Sequence, residues 1–384
     1  MPERYVPYGR QLIEDDDIAA VTAALRSDYL TTGPLVGEFE RALAAVAGAK
    51  HAVSVNSGTA ALHAAYQALN IGPGDEVVTS PLTFAATANA ALYCGARPVF
   101  ADVDSATGLL DPAAAEAAIT SRTKAIVAVD YAGMPAAYDA LTALAHRHGV
   151  ALVADAAHSL GASYRGKPVG SLATATIFSF HPVKAITTGE GGALVTDVDG
   201  IAQAARRFRT HGIERAPERL IEGDRPAWYH EMQTLGYNYR LTDIQSALGL
   251  SQLAKLPRFI EQRTELARRY STALADHADL HLPVVPDDRT SAWHLYVVRV
   301  DEPTLRDPLF GSLRKRGIGV QVHYIPVYLH PYYRSLGYAA GACPVAEKFA
   351  ASCLSLPLFP GLSASDLDYV IETVRRTVAE VAGR

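Results

Sequence analysis

An α/β fold on a mostly parallel seven-stranded sheet, followed by a smaller α+β unit, is what this 384-residue sequence predicts. Three observations carry that expectation. Between residues 50 and 196, short β-rich runs that are apolar on both faces alternate with helical patterns, as in a parallel sheet covered on both sides. After Thr242 the pattern changes to one long helical stretch and then to a mixture of short strands and helices. The length also exceeds what one compact core accommodates. We therefore expect two domains, residues 1–255 and 256–384.

The β runs fall at 51–55, 76–79, 98–101, 124–129, 150–154, 176–179 and 193–196, with helices at 59–69 and 137–148 between them. The helical stretch from Asp243 to about Ala275 contains Pro257, which is expected to kink or end it. Thr242 and Gln245 have the spacing of a capping box at its start. Beyond it, 293–300 and 319–323 read as strands, and 304–316, 344–353 and 364–381 as helices.

Composition removes several classes. The chain has 35 basic and 40 acidic side chains with no basic block, which speaks against nucleic-acid binding. Cys94, Cys343 and Cys353 are odd in number and lack metal-ligand spacing, so neither a disulfide framework nor a metal site is expected. No apolar run is long enough to span a bilayer, and the first residues lack the basic and apolar parts of a leader. A cytoplasmic protein is expected. There is no Walker A sequence, and His230-Glu231 lacks the second histidine of a zinc protease helix.

The chemistry-bearing residues cluster at the carboxyl ends of the expected strands, where open α/β sheets bind ligands. Lys184 follows the run at 176–179 and precedes the glycine-rich Gly189-Glu-Gly-Gly192. Burial there would favour its neutral amine, the form that condenses with carbonyls. Asp155 ends the run at 150–154 and could either hold a proton on a pyridine nitrogen or cap a helix. Asn56-Ser57-Gly58-Thr59 joins a strand to a helix start, which is an anion site as well as a capping signal. Phe84 is placed to stack on a planar ring or to fill the core.

Taken together, Asn56-Ser-Gly-Thr-Ala-Ala-Leu62, Asp155-Ala-Ala-His158, Ser179-Phe-His-Pro-Val-Lys184 with Gly189-Glu-Gly-Gly192, Arg209-Thr-His-Gly212 and Gly236-Tyr-Asn-Tyr-Arg240 resemble the DegT/DnrJ/EryC1/StrS family of nucleotide-sugar aminotransferases. The resemblance spans nearly the whole chain. It implies the type I fold of pyridoxal-phosphate-dependent transferases, also called the aspartate aminotransferase fold. It also implies pyridoxal 5′-phosphate as cofactor, joined to Lys184 as a Schiff base. Asp155 would pair with the pyridine nitrogen, Phe84 would pack on the ring, and His158 would be a third catalytic residue, close to the cofactor. Ser57, Gly58, Thr59 and Ser179 would hold the phosphate or nearby groups, and Asn238 would reach the cofactor of the partner in a homodimer with shared active sites.

Val129-Asp-Tyr-Ala-Gly133, 178–196 and Gln321-Val-His-Tyr-Ile-Pro-Val-Tyr328 are similar to the branch that aminates C4 of a UDP-linked 4-keto-6-deoxy-N-acetylhexosamine in pseudaminic acid biosynthesis. That likeness implies substrate contacts from Tyr8, from Asp28, Tyr29, Leu30 and Thr31, and from Gln321, Val322, His323 and Tyr324. Asp28-Tyr29-Leu30 and Gly58 depart from the branch pattern. The implied reaction is a ping-pong transamination from L-glutamate to the keto sugar, with Lys184 moving the proton. The alternatives are an aminotransferase for another dTDP-, GDP- or UDP-linked keto sugar, and a non-catalytic cofactor-binding sensor.

Overall fold

The computed structural model describes residues 4–383; residues 1–3, part of the segment read above for a leader, lie outside the described residues. Seven strands form the central sheet: His51–Val55 (β1), Glu76–Thr79 (β2), Arg97–Phe100 (β3), Thr123–Val129 (β4), Ala151–Asp155 (β5), Ala175–Ser179 (β6) and Gly192–Thr196 (β7). Their spatial order is β1-β7-β6-β5-β4-β2-β3. All neighbours are parallel except for the two pairings made by β7, so the sheet is mostly parallel as expected.

Period-two alternation explains why these runs lack a polar face. Ile126, Ala128, Leu152, Ala154 and Phe178 join one apolar cluster, packed with helix Pro34–Ala47 and helix Tyr138–His148. The intervening Ala125, Val127, Val153 and Ile177 join a second cluster, under helix Gly58–Ala68 and helix Asp199–Phe208. Both faces are covered, and ligand access is left to the strand ends.

Helix Asp243–Leu274 begins at the Thr242/Gln245 capping box and continues through Pro257 without ending. Proline there removes only the bond to the Leu253 carbonyl. Buried side chains on both sides of it keep the helix in register: Leu253 and Leu256 pack on the central sheet, while Leu266, Ala267 and Tyr270 pack on the C-terminal core. One helix thus serves both cores.

The C-terminal sheet comprises Leu280–His281, Tyr296–Val300 and Cys353–Leu356. Residues 319–323, expected as a strand, make only an isolated bridge between Gln321 and Ser355. Gly319 donates to Val6 O at 2.7 Å, so this stretch divides its pairing between two segments and extends neither into a ladder. Among the described residues, no helix is long and apolar enough to cross a membrane, and no cluster of His, Cys, Asp or Glu is arranged to hold a metal.

Candidate active site

β5 and β6 pair in parallel, with Asp155 opposite Ile177, so their carboxyl ends open side by side. Asp155 is the last residue of β5, and no helix follows it: residues 157–161 form turns, and its Oδ1 accepts from Ala157 N at 3.3 Å. The capping alternative for Asp155 is thereby removed. Ser179 ends β6, and the chain turns tightly so that Lys184 N donates to His181 O at 2.9 Å. A cavity of about 520 Å³ opens at these ends, lined by both Asp155 and Lys184.

The end of β1 leads into Ser57, whose hydroxyl accepts from Ala60 N at 3.1 Å and caps helix Gly58–Ala68. The cap does not close this end off, because Ser57, Gly58 and Thr59 also line the cavity. The first-turn amides of Gly58 and Thr59 lie beyond the reach of any carbonyl of their own helix, which makes this end an anion receptor. A side chain at Gly192 would sit 2.5 Å from Gly58 N, so glycine there is what lets β7 pass close behind this turn. At Gly58 a Cβ would meet Ser179 Cβ at 3.0 Å, so the departure from the family pattern leaves room beside Ser179.

Electrostatics set the state of each group. Lys184 is partly open to the cavity, yet the enclosing protein penalises its ammonium form and lowers its pKa to about 8, against the opposing pull of Asp155. Burial raises the Asp155 carboxyl; Thr87 Oγ1, donating to Oδ2 at 2.6 Å, partly restores the ionised form. Thr83 and Thr87 hydroxyls lie 2.7 Å apart, extending this support. His158 and His294 are held neutral by burial and by the nearby Lys184 charge, and burial lowers His323 to about 4. His158 Nε2 lies 3.1 Å from the Tyr324 hydroxyl, and its ring lies 4.2 Å from that of His294.

Tyr8, Ser57, Gly58, Thr59, Phe84, Asp155, His158, Ser179, Lys184, Gln321, His323 and Tyr324 thus share one cavity. The remaining residues expected at the site lie outside it. Val322 alternates away from Gln321 and His323 and packs against the C-terminal apolar clusters. Asp28, Tyr29, Leu30 and Thr31 are exposed, and the bridge from Thr31 to Thr242 seats them beside the start of the long helix. Asn238 is exposed, and its backbone pairs with Thr210.

The sequence reading missed Thr87 and His294. Thr87 sits one helical turn beyond Phe84, a spacing that could have marked it; His294 arrives from the distant C-terminal part with no local signal.

The residues fit pyridoxal phosphate. An acid and a depressed-pKa amine line the same cavity, free helix amides suit a phosphate, and Phe84, 63% exposed, offers an open aromatic face. Nδ1 of His158 and of His294 is buried without a partner among the described residues, which marks polar capacity left unmet there.

Comparison with known proteins agrees with this geometry. The model of the DegT/DnrJ/EryC1/StrS aminotransferase family matches residues 11–375. The chain is 45% identical over 379 residues to the spore coat polysaccharide biosynthesis protein SpsC of Bacillus subtilis, covering 97% of each. Among solved structures, it is similar to PseC of Helicobacter pylori, an aminotransferase involved in pseudaminic acid biosynthesis, at TM-score 0.92 and 36% identity over 98% of this chain and 100% of that one. It is also similar to Spr1654, a sugar aminotransferase of Streptococcus pneumoniae, at TM-score 0.93 and 31% identity over 99% of each chain in the pyridoxamine phosphate form. Spr1654 is known in the pyridoxal phosphate form as well. The chain therefore belongs to the DegT/DnrJ/EryC1/StrS aminotransferase family and is a sugar aminotransferase with pyridoxal phosphate as its cofactor.

Proposed function

We propose that the protein transfers the amino group of L-glutamate to C4 of a UDP-linked 4-keto-6-deoxy-N-acetylhexosamine, the step of pseudaminic acid biosynthesis carried out by UDP-4-amino-4,6-dideoxy-N-acetyl-β-L-altrosamine transaminase. The observation that carries the amine-transfer chemistry is the opposition of Lys184 and Asp155 in one cavity that ends on free helix amides. The likeness to PseC supports the sugar. The still higher identity to SpsC favours a second reading, another nucleotide-linked keto sugar destined for a surface polysaccharide.

When bound, pyridoxal phosphate supplies the carbonyl that accepts the amino group and the conjugated ring that stabilises charge at the carbon losing its proton. Lys184 supplies the amine. At a pKa of about 8, roughly a tenth of it is neutral at pH 7, several hundredfold more than for an ordinary lysine. A base in that state takes a proton at Nζ and returns it without a large penalty in either direction. Asp155, ionised with the help of Thr87, holds the proton on the ring nitrogen.

Gly58 and Thr59 amides, with Ser57 and Ser179 hydroxyls, bind the phosphate, and Phe84 covers the ring. His158, neutral and tied to Tyr324, orients groups on the cavity's C-terminal wall. Tyr8, Gln321, His323 and Tyr324 face the sugar. The large part, residues 1–255, supplies the cofactor wall, and residues 256–384 close the cavity from the other side.

Asn238 and Asp28 to Thr31 act across a homodimer, reaching the partner's cavity. Their exposure and the nearness of both segments to Thr242 support that reading.

The test is spectroscopic. Adding L-glutamate to the purified holoenzyme should shift the cofactor absorbance to that of the amine form, and Lys184→Ala should abolish the shift. An unchanged spectrum with native protein would overturn the proposal. Mass analysis of products from UDP-, dTDP- and GDP-linked 4-keto sugars then separates the two sugar readings.

A further inference from the structure

Arg263, on the helix that serves both cores, is 1% exposed and pairs with no carboxylate among the described residues. A buried guanidinium costs several kcal/mol in desolvation unless it is compensated, so its environment must return interactions of comparable size. What surrounds it is a set of backbone carbonyls. Nη1 lies 3.0 Å from Leu358 O, 3.2 Å from Trp293 O and 3.4 Å from His294 O, and Nη2 lies 3.5 Å from Lys184 O. Nε is buried without a partner among the described residues.

These carbonyls belong to three segments far apart in sequence: the turn carrying Lys184, the approach to strand Tyr296–Val300 carrying His294, and the chain after strand Cys353–Leu356. Two of the four carbonyls belong to residues whose side chains line the cavity. Neither Arg263 nor these contacts has a part in the reaction described above.

We propose that Arg263 is a positioning residue for the amine of Lys184: its guanidinium gathers the Lys184 turn and the His294 segment around one buried charge and so holds the amine inside the cavity. A planar fork with five N–H donors reaches several carbonyls at once, which an ammonium does not match, so lysine is no substitute here. The side chain touches neither substrate nor the reacting atoms and acts through the backbone of residues that do. The inference rests on Lys184 being the reactive amine.

The experiment reads that amine directly in cofactor-free protein. Brief acetylation across pH 6–11, followed by peptide mass analysis, gives the pH midpoint for modification of Lys184. Burial lowers this midpoint against the pull of Asp155, while His158, His294 and His323, which face the same cavity, stay neutral across this range. Native protein should show a midpoint near 8. Arg263→Lys keeps the charge and loses the fork, so the released turn lets Lys184 meet water and its midpoint should rise by about one pH unit or more toward the ordinary lysine value.

Leu266→Ala, on the same helix and facing the C-terminal core, is the control: it should lower the melting temperature and leave the midpoint in place. An unchanged midpoint in Arg263→Lys, an equal rise in Leu266→Ala, or failure of both Arg263→Lys and Arg263→Gln to fold would each overturn the proposal. The last outcome would make Arg263 a general clamp. A wrong assignment of Lys184 as the cofactor amine would instead appear as a retained cofactor spectrum in Lys184→Ala, which the midpoint does not touch.

Discussion

Replacing Thr87 by valine tests the acid side of the site with almost no change in shape. Thr87 Oγ1 donates to Asp155 Oδ2 at 2.6 Å and lies 2.7 Å from Thr83 Oγ1, so the valine removes one hydrogen bond to an ionised carboxylate and leaves Thr83 without that neighbour. A hydrogen bond to a charged group contributes about 1.5–3 kcal/mol. Burial already opposes ionisation of Asp155, and the lost donor adds to that opposition. If cofactor binding draws on the ionised carboxylate, the same free energy appears as weaker binding, roughly tenfold to a hundredfold.

The sign with pH follows. A carboxyl whose folded pKa rises is less ionised at low pH, so the deficit of Thr87→Val should be largest toward acid and shrink as pH increases. Titrating cofactor-free protein with pyridoxal phosphate between pH 6 and 9 measures it, with Thr87→Ser, which keeps the hydroxyl, expected to behave as native. Equal affinities for native protein and Thr87→Val at every pH would refute the assignment of Asp155 to the ring nitrogen.

Gly192→Ala forces a Cβ to 2.5 Å from Gly58 N and should disturb the helix start, seen as lost phosphate affinity in a protein that remains helical by circular dichroism. Asp130 is buried, accepts from Ala136 N, Tyr138 Oη and Ser159 Oγ, and has its carboxyl pushed up by burial to about 7. The folded state then keeps a proton that the unfolded state releases above about pH 4. Native stability should fall between about pH 4 and 7 relative to Asp130→Asn, and urea unfolding at several pH values would detect a flat difference instead. Arg209 pairs with Glu40 and donates to Ser54 O at 2.6 Å, behind β1; Arg209→Met leaves Glu40 poorly compensated and should cost about 3 kcal/mol in chemical unfolding.

The sheet was legible because its information is local. Each strand is a short run with no polar face, and the residues that line the cavity sit at or just past the ends of such runs, as Asp155 closing β5 and Ser57 after β1. Lys184 could be read from its turn for the same reason. Pro257 does not end the helix, one of the two outcomes expected of it, because a proline there costs a single backbone bond and some crowding while fourteen buried residues on that helix resist a break. Residues 319–323 alternate like a strand, but their partners, Val6 and Ser355, lie on separate segments, and pairing partners are not written in a run's own composition. Thr87 meets Asp155 across 68 residues, and Arg263 meets Leu358 across 95; only the folded topology brings such pairs together.

Taken with Arg263, the cavity carries an energetic consequence. Lys184, His158, His294 and His323 converge on one space, and among the described residues no arginine lines it. Burial shifts each of these groups toward its neutral form, so the donors this wall offers an anion are neutral ones such as the Gly58 and Thr59 amides, beside an amine whose pKa is lowered to about 8. That arrangement destabilises the protein without its cofactor: a lysine whose ammonium form is poorly solvated, histidine nitrogens with no partner among the described residues and a guanidinium with no carboxylate beside it are each unfavourable at rest. The two apolar clusters on the faces of the central sheet and the C-terminal core offset the cost, and a bound cofactor that met polar atoms the chain leaves open would relieve part of it. Stability and reactivity are thus set against each other at the same few residues, which is why the substitutions that calm the site, such as Lys184→Ala, are expected to abolish its chemistry without unfolding the protein.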